Sequence, residues 1–151
     1  MSLKIKIAGR ALEVLHVEDN EGDVAILKQV VKKAGFPVHL TSLQHGEQAL
    51  AYLQQEGLYF QAPRPDVVLL DLKLPGKDGL TVLTEIRQNP ALKEIPVLIL
   101  TSSDSSLDMS WAQRCNATQY IIKPADLDQF SGLMGHLQGY WIKTFRYRLP
   151  V

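Results

Sequence analysis

Apolar and polar positions switch between two periods along the chain, and the switch recurs five times. Residues 12–17 (LEVLHV) form a short run rich in Val and Leu that stops at Glu18, Asp19 and Asn20. Val24, Leu27, Val30, Val31 and Ala34 follow at helical spacing and end at Gly35. Residues 38–43 (VHLTSL) alternate like a strand beside a less buried edge. Residues 45–56 predict a second helix with Ala49, Leu50 and Leu53 inward, and Gly57, Pro63 and Pro65 mark 57–65 as a loop. Residues 67–70 (VVLL) are continuously apolar, as strands covered on both faces are, and end in Asp71. Pro75, Gly76 and Gly79 break the chain before a third helix, which carries Leu80, Leu83 and Ile86 inward and stops near Asn89 and Pro90. Residues 95–100 (IPVLIL) predict another buried strand ending at Thr101, and the polar residues 102–106 predict the cap of a fourth helix through Cys115, with Ser102 contributing. Residues 119–122 predict a short strand ending at Lys123 and Pro124. The last helix starts near Asp126, with Leu127, Phe130, Met134, Leu137 and Trp141 on one stripe.

Five strand–helix pairs in regular alternation imply a parallel sheet with helices on both faces and right-handed crossovers. One domain spans 12–145, with an extension at 1–11 and a tail at 146–151. Composition narrows the function classes. Sixteen Lys and Arg balance sixteen Asp and Glu among 151 residues, against a nucleic-acid binder or a membrane-surface protein that works through bulk charge. The single cysteine, Cys115, rules out an intrachain disulfide and a cysteine metal cluster. No apolar run approaches the ~18 residues of a membrane span, and the first ten residues lack a signal-peptide core. The expectation is a cytoplasmic protein without direct nucleic-acid or membrane binding.

The reactive side chains fall at strand ends. Glu18 and Asp19 end the first strand, Asp71 the third, Thr101 the fourth and Lys123 the fifth. Parallel strands share a direction, so these residues lie along one edge of the sheet, where open α/β sheets bind ligands. With the order 2-1-3-4-5, borrowed from other sheets of this type, Asp19 and Asp71 face each other across the crevice. Three converging carboxylates raise one another's pKa unless a divalent cation or an ammonium relieves them. Oxygen ligands favour Mg²⁺, Ca²⁺ or Mn²⁺ over zinc, and Lys123 supplies the ammonium. Acids, a hydroxyl and a lysine together suit a phosphoryl group held on a carboxylate.

The motifs VEDN (17–20), LLDLKLPGKDG (69–79), ILTSS (99–103) and YIIKP (120–124), in this order and each at a strand end, resemble the receiver domain of two-component response regulators. The resemblance covers residues 12 to 140. EDNEGD (18–23), the long segment before Pro65 and the Tyr140-Trp141 ending are similar to stand-alone regulators that pair with phytochrome-type histidine kinases. The resemblance implies a flavodoxin-like, doubly wound (βα)5 fold of the chemotaxis-regulator kind. It implies Asp71 as phosphoacceptor, served by a sensor histidine kinase. Glu18, Asp19, Asp71 and the backbone carbonyl of Lys73 would hold Mg²⁺ or Mn²⁺. Lys123 and Ser102 would bind the phosphoryl group, Thr101 and Tyr120 would act as the switch pair, and Lys123-Pro124 would be a cis peptide. The output would be a repacked surface of helix four, strand five and helix five, which would also support a homodimer. Lys73 departs from the Asn or Met frequent in relatives, a position bordering the path of the water that hydrolyses the phosphoryl group. Nothing after residue 145 is long enough for an attached DNA-binding domain.

Plainer readings stand beside these. Glu18 and Asp19 also suit the start of a helix, Thr101 and Ser102 also suit a helix cap, and Tyr120 also suits simple packing. His16 reads as a hydrogen-bonded core or edge residue, and His39, His45 and His136 have no metal-like spacing. Cys115 reads as a buried small hydrophobe. Trp111 fits the core better than a partner surface. Trp141, Phe145 and Tyr147 are either folded back on the domain or used in self-association. Two rival functions remain: a haloacid-dehalogenase-like phosphatase, which would need an Asp where Lys73 stands, and a degenerate receiver that only scaffolds. A nucleotide or flavin binder would need a Gly-rich loop where EDNEGD places acids.

Overall fold

The computed structural model describes residues 10–124 and 127–146, apart from the side chains at 127–129, 131 and 144–146. Most of the expected 1–11 extension and the 147–151 part of the tail lie outside the described residues, as do the side chains of Phe145 and Tyr147. The elements run β1 (Leu12–Val17), α1 (Glu21–Lys32), β2 (Val38–Leu43), α2 (Gly46–Gln54), β3 (Val67–Leu70), α3 (Gly79–Gln88), β4 (Val97–Thr101), α4 (Ser106–Arg114), β5 (Gln119–Ile122) and α5 (Leu127–Arg146). A 3₁₀ turn, Gly57–Tyr59, interrupts the expected 57–65 loop.

All five strands are parallel, in the order β2-β1-β3-β4-β5, which is the predicted fold. Strand side chains alternate between two cores. Leu15, Val17, Val68, Leu70, Val97 and Ile99 face α2, α3 and α4. Leu12, Val14, Val67, Leu69, Leu98 and Leu100 face Leu27 of α1 and Phe130, Leu133 and Leu137 of α5. Both faces are therefore dry, which is why β3 shows no polar alternation. Trp141 packs its ring 5.6 Å from that of Phe36, so this part of the chain folds back on the domain. Arg87 of α3 donates to the carbonyls of Lys93, Ile95 and Asn116 and to the Thr118 hydroxyl, tying α3 to the entrances of β4 and β5.

Five local expectations are corrected. Strand β4 starts at Val97 instead of residue 95, because Pro96 has no N–H to give the ladder. The cap of α4 is Ser105, whose hydroxyl accepts from Asp108 N–H, and not Ser102. Trp111 is 47% exposed, in a surface groove that it lines with Leu80 and Thr84 of α3, with the Arg114 guanidinium 5.6 Å above its ring. No peptide bond among the described residues is cis, so Lys123-Pro124 takes the trans form, which X-Pro bonds favour by about 0.5–1 kcal/mol. Cys115 is only half-buried, with its thiol 3.4 Å from the Thr84 hydroxyl.

His16 is buried on the α1/α5 side of β1, and its Nδ1 has no hydrogen-bond partner among the described residues. Burial, reinforced by the nearby Lys123 charge, lowers its pKa from 6.5 to about 4. The unfolded chain therefore takes up this proton first as pH falls. The stability tied to neutral His16 is complete above pH 6.5 and is lost on the way down to about 4. Between pH 7 and pH 5, His16→Leu is expected to lose about 2 kcal/mol less stability than the parent chain. Urea unfolding at the two pH values checks this, and equal losses would refute it.

Candidate functional site

Register gathers the site. Val17 pairs with Leu70, so Glu18 and Asp71 leave the sheet side by side, and Asp71 N–H donates to the Val17 carbonyl at 3.1 Å. Thr101 pairs with Ile122, and Lys123 N–H donates to the Thr101 carbonyl at 2.7 Å. Residues far apart in sequence thus emerge at one sheet edge, because β1 and β3 stop together, β4 and β5 stop together, and β4 runs two residues past β3.

Lys123 Nζ is the centre of the cluster. It lies 3.0 Å from Asp71 Oδ2, 2.6 Å from Glu18 Oε1 and 2.7 Å from Asp23 Oδ2. An ammonium has three N–H donors, and three carboxylates surround this one. Asp71 is nearly buried, and its Oδ1 accepts from Lys73 N–H at 3.2 Å. Glu18 is fully buried, and its Oε2 accepts from Asn20 N–H at 3.2 Å. Asp19, by contrast, is exposed.

The electrostatics follow from this packing. Burial works against the Lys123 charge, but hydrogen bonds to Asp23, Glu18 and Asp71 outweigh it and raise its pKa above the ordinary lysine range. Burial alone would raise Asp71, yet Lys123 and the Lys73 N–H hold its carboxyl below the usual range. For Glu18 burial wins over Lys123, with the Asp71 charge adding to it, and its pKa rises to about 7. One pocket therefore holds an acid kept ionised and an acid poised to take a proton.

Glu18, Asp19 and Asp71 each bring a carboxylate oxygen to within 4.8 Å of the others. Three hard oxygen donors at this spacing fit a divalent cation such as Mg²⁺ or Mn²⁺. Lys73 is exposed on the loop that wraps Asp71. Thr101 is fully buried, and its hydroxyl accepts from Ser103 N–H at 3.4 Å. Ser102 is exposed. Tyr120 is half-buried and donates its hydroxyl to the Ser103 carbonyl at 2.8 Å.

Sequence reasoning missed three residues. Asp23 reads as a helix-start acid, and nothing local signals Lys123, 100 positions away. Ser103 donates to Asp108 at 2.6 Å and fastens the β4–α4 loop that Tyr120 also holds. Gly79 lies so close to Asp71 that a side chain there would overlap the Asp71 carbonyl. The run EDNEGD was the one visible signal for Asp23.

The family described as response regulator receiver domain matches residues 14–133. Response regulator Rcp1 of Synechocystis is 38% identical over 131 residues, which cover 87% of this chain and 89% of the relative. The phosphorylated cyanobacterial phytochrome response regulator RcpA superimposes with a TM-score of 0.82 at 36% identity, over 89% of this chain and 96% of that one. The Mn²⁺-bound form of Rcp1 superimposes with a TM-score of 0.78 at 38% identity, over 87% and 95%. The family match reaches all five strands and the acids and lysine at their ends, and the relatives cover most of both chains, so the chain belongs to the response regulator receiver domain family.

Proposed function

We propose that this protein accepts a phosphoryl group on Asp71 from the phosphohistidine of a phytochrome-type sensor kinase, and signals through the surface of α4, β5 and α5. The observation that carries this is the Lys123 ammonium 3.0 Å from Asp71 in the pocket that also holds Glu18 and Asp19. A relative with Mn²⁺ bound and a phosphorylated relative support the same chemistry here.

Asp71 fits the nucleophile because it stays ionised at neutral pH. Its carboxylate oxygen forms the new P–O bond as the P–N bond to the donor imidazole breaks, and the imidazole nitrogen keeps that electron pair. Glu18, Asp19, Asp71 and the Lys73 carbonyl would hold a divalent cation, which when bound would supply positive charge for the phosphoryl oxygens. Lys123 pairs with the Asp71 carboxylate before transfer and with the phosphoryl group afterwards. The Thr101 hydroxyl, whose oxygen accepts from Ser103 N–H, keeps its own proton to donate to a phosphoryl oxygen, and Ser102 contributes at the open side. Movement of Thr101 would tug the Ser103 segment that the Tyr120 hydroxyl holds, which carries the signal to α4 and β5. Met109 of α4 and Ile122 of β5 line an open groove between these two elements and give that surface, and a homodimer through it, apolar character.

Incubation with acetyl phosphate and Mg²⁺, read by intact mass, tests the proposal. One added phosphoryl group is expected, and none when EDTA removes the metal. A chain that stays unmodified with Mg²⁺ present would overturn it.

A further inference from the structure

Glu18 and Asp71 have two claims on them. Both pair with Lys123, and both belong to the oxygen cluster that fits a divalent cation. A cation taking these oxygens weakens their hold on the ammonium. Asp23 stands outside that cluster, yet it lies 2.7 Å from Lys123 Nζ. Its place is fixed from its own side as well. Asp23 is in the first turn of α1, where its N–H donates to the Asn20 cap at 3.0 Å. The contact joins α1 to the end of β5 across 100 positions of sequence.

We propose that Asp23 is a positioning residue, an anchor that keeps Lys123 at the acceptor by holding its ammonium independently of the metal-binding acids. This deepens the phosphoacceptor reading of Asp71 and rests on it. Without Asp23, the Lys123 ammonium has, among the described residues, Glu18 and Asp71 to bind. It then pairs with them more tightly, competes better with the cation, and stands less well placed for the incoming phosphoryl group.

A double-mutant cycle on the full chain tests this, with Mg²⁺ affinity measured by calorimetry as the readout. Asp23→Ala is expected to weaken Mg²⁺ binding about fivefold in the parent chain and hardly at all when Lys123→Met is also present. A simple loss of negative charge would weaken binding equally in both backgrounds, and that result would overturn the anchor. Asp23→Asn, nearly identical in shape, repeats the cycle without disturbing the start of α1. At saturating Mg²⁺, the acetyl phosphate reaction is expected to slow about tenfold in Asp23→Ala, with part of the rate restored in Asp23→Glu. If the parent chain takes up no phosphoryl group, the functional reading falls and the anchor with it. If the parent reacts and Asp23→Ala reacts equally fast, the anchor alone falls.

Discussion

Asp71→Asn is expected to abolish phosphoryl uptake from acetyl phosphate while the chain stays folded. The amide lacks the ionised oxygen that makes the P–O bond. It also meets its two partners badly. The Asp71 carboxylate accepts at both oxygens, from Lys73 N–H and from Lys123 Nζ. An Asn can turn its oxygen to one of them only, and its NH₂ group then faces a donor at the other. That mismatch costs about 1–3 kcal/mol, which the loss of one of three crowded carboxylates partly offsets. The Asp71 charge is among the causes that raise Glu18, so the Glu18 pKa is expected to fall from about 7 in this variant. Intact mass and urea unfolding read both effects. Uptake of a phosphoryl group by Asp71→Asn would place the acceptor elsewhere.

The second large effect is steric. Gly79 begins α3, and its N–H donates to the Leu72 carbonyl at 3.0 Å. A Cβ at this position would overlap the Asp71 carbonyl and stand 2.6 Å from Leu72 Cα. Both obstacles are main chain, so the strand end that carries Asp71 must move. Gly79→Ala is therefore expected to destabilise the domain by about 3 kcal/mol. It is also expected to slow phosphoryl uptake by on the order of a hundredfold, because a displacement of about 1 Å is that costly to a positioned nucleophile. Unfolding in urea and the initial rate of adduct formation measure the two losses. Stability within about 0.5 kcal/mol of the parent would mean that the loop yields without strain.

How much of this was legible without coordinates depended on the range of the interaction. The apolar runs at 12–17 and 67–70 are strands with the predicted bounds, since burial on both faces forces a continuous pattern. The Ser102 cap and the start of β4 were misplaced by a few residues, because several polar groups in 102–106 can cap and only one has the geometry. Trp111 was expected in the core. Its place in the open groove between α3 and α4 depends on the roll of a short helix whose buried residue is Ala112. The trans Lys123-Pro124 bond shows that a family habit at one position does not fix the backbone of this chain.

The sequence by itself determined which residues end each strand, and with them the acids, hydroxyl and lysine available at one edge of the sheet. Local periodicity encodes that much, because it reports burial residue by residue. Only the tertiary structure decided that Lys123 would sit among three carboxylates, that Asp23 would be one of them, and that Gly79 would leave no room beside Asp71. Those are distances between segments brought together by strand register and crossover packing, and no period along the chain records them.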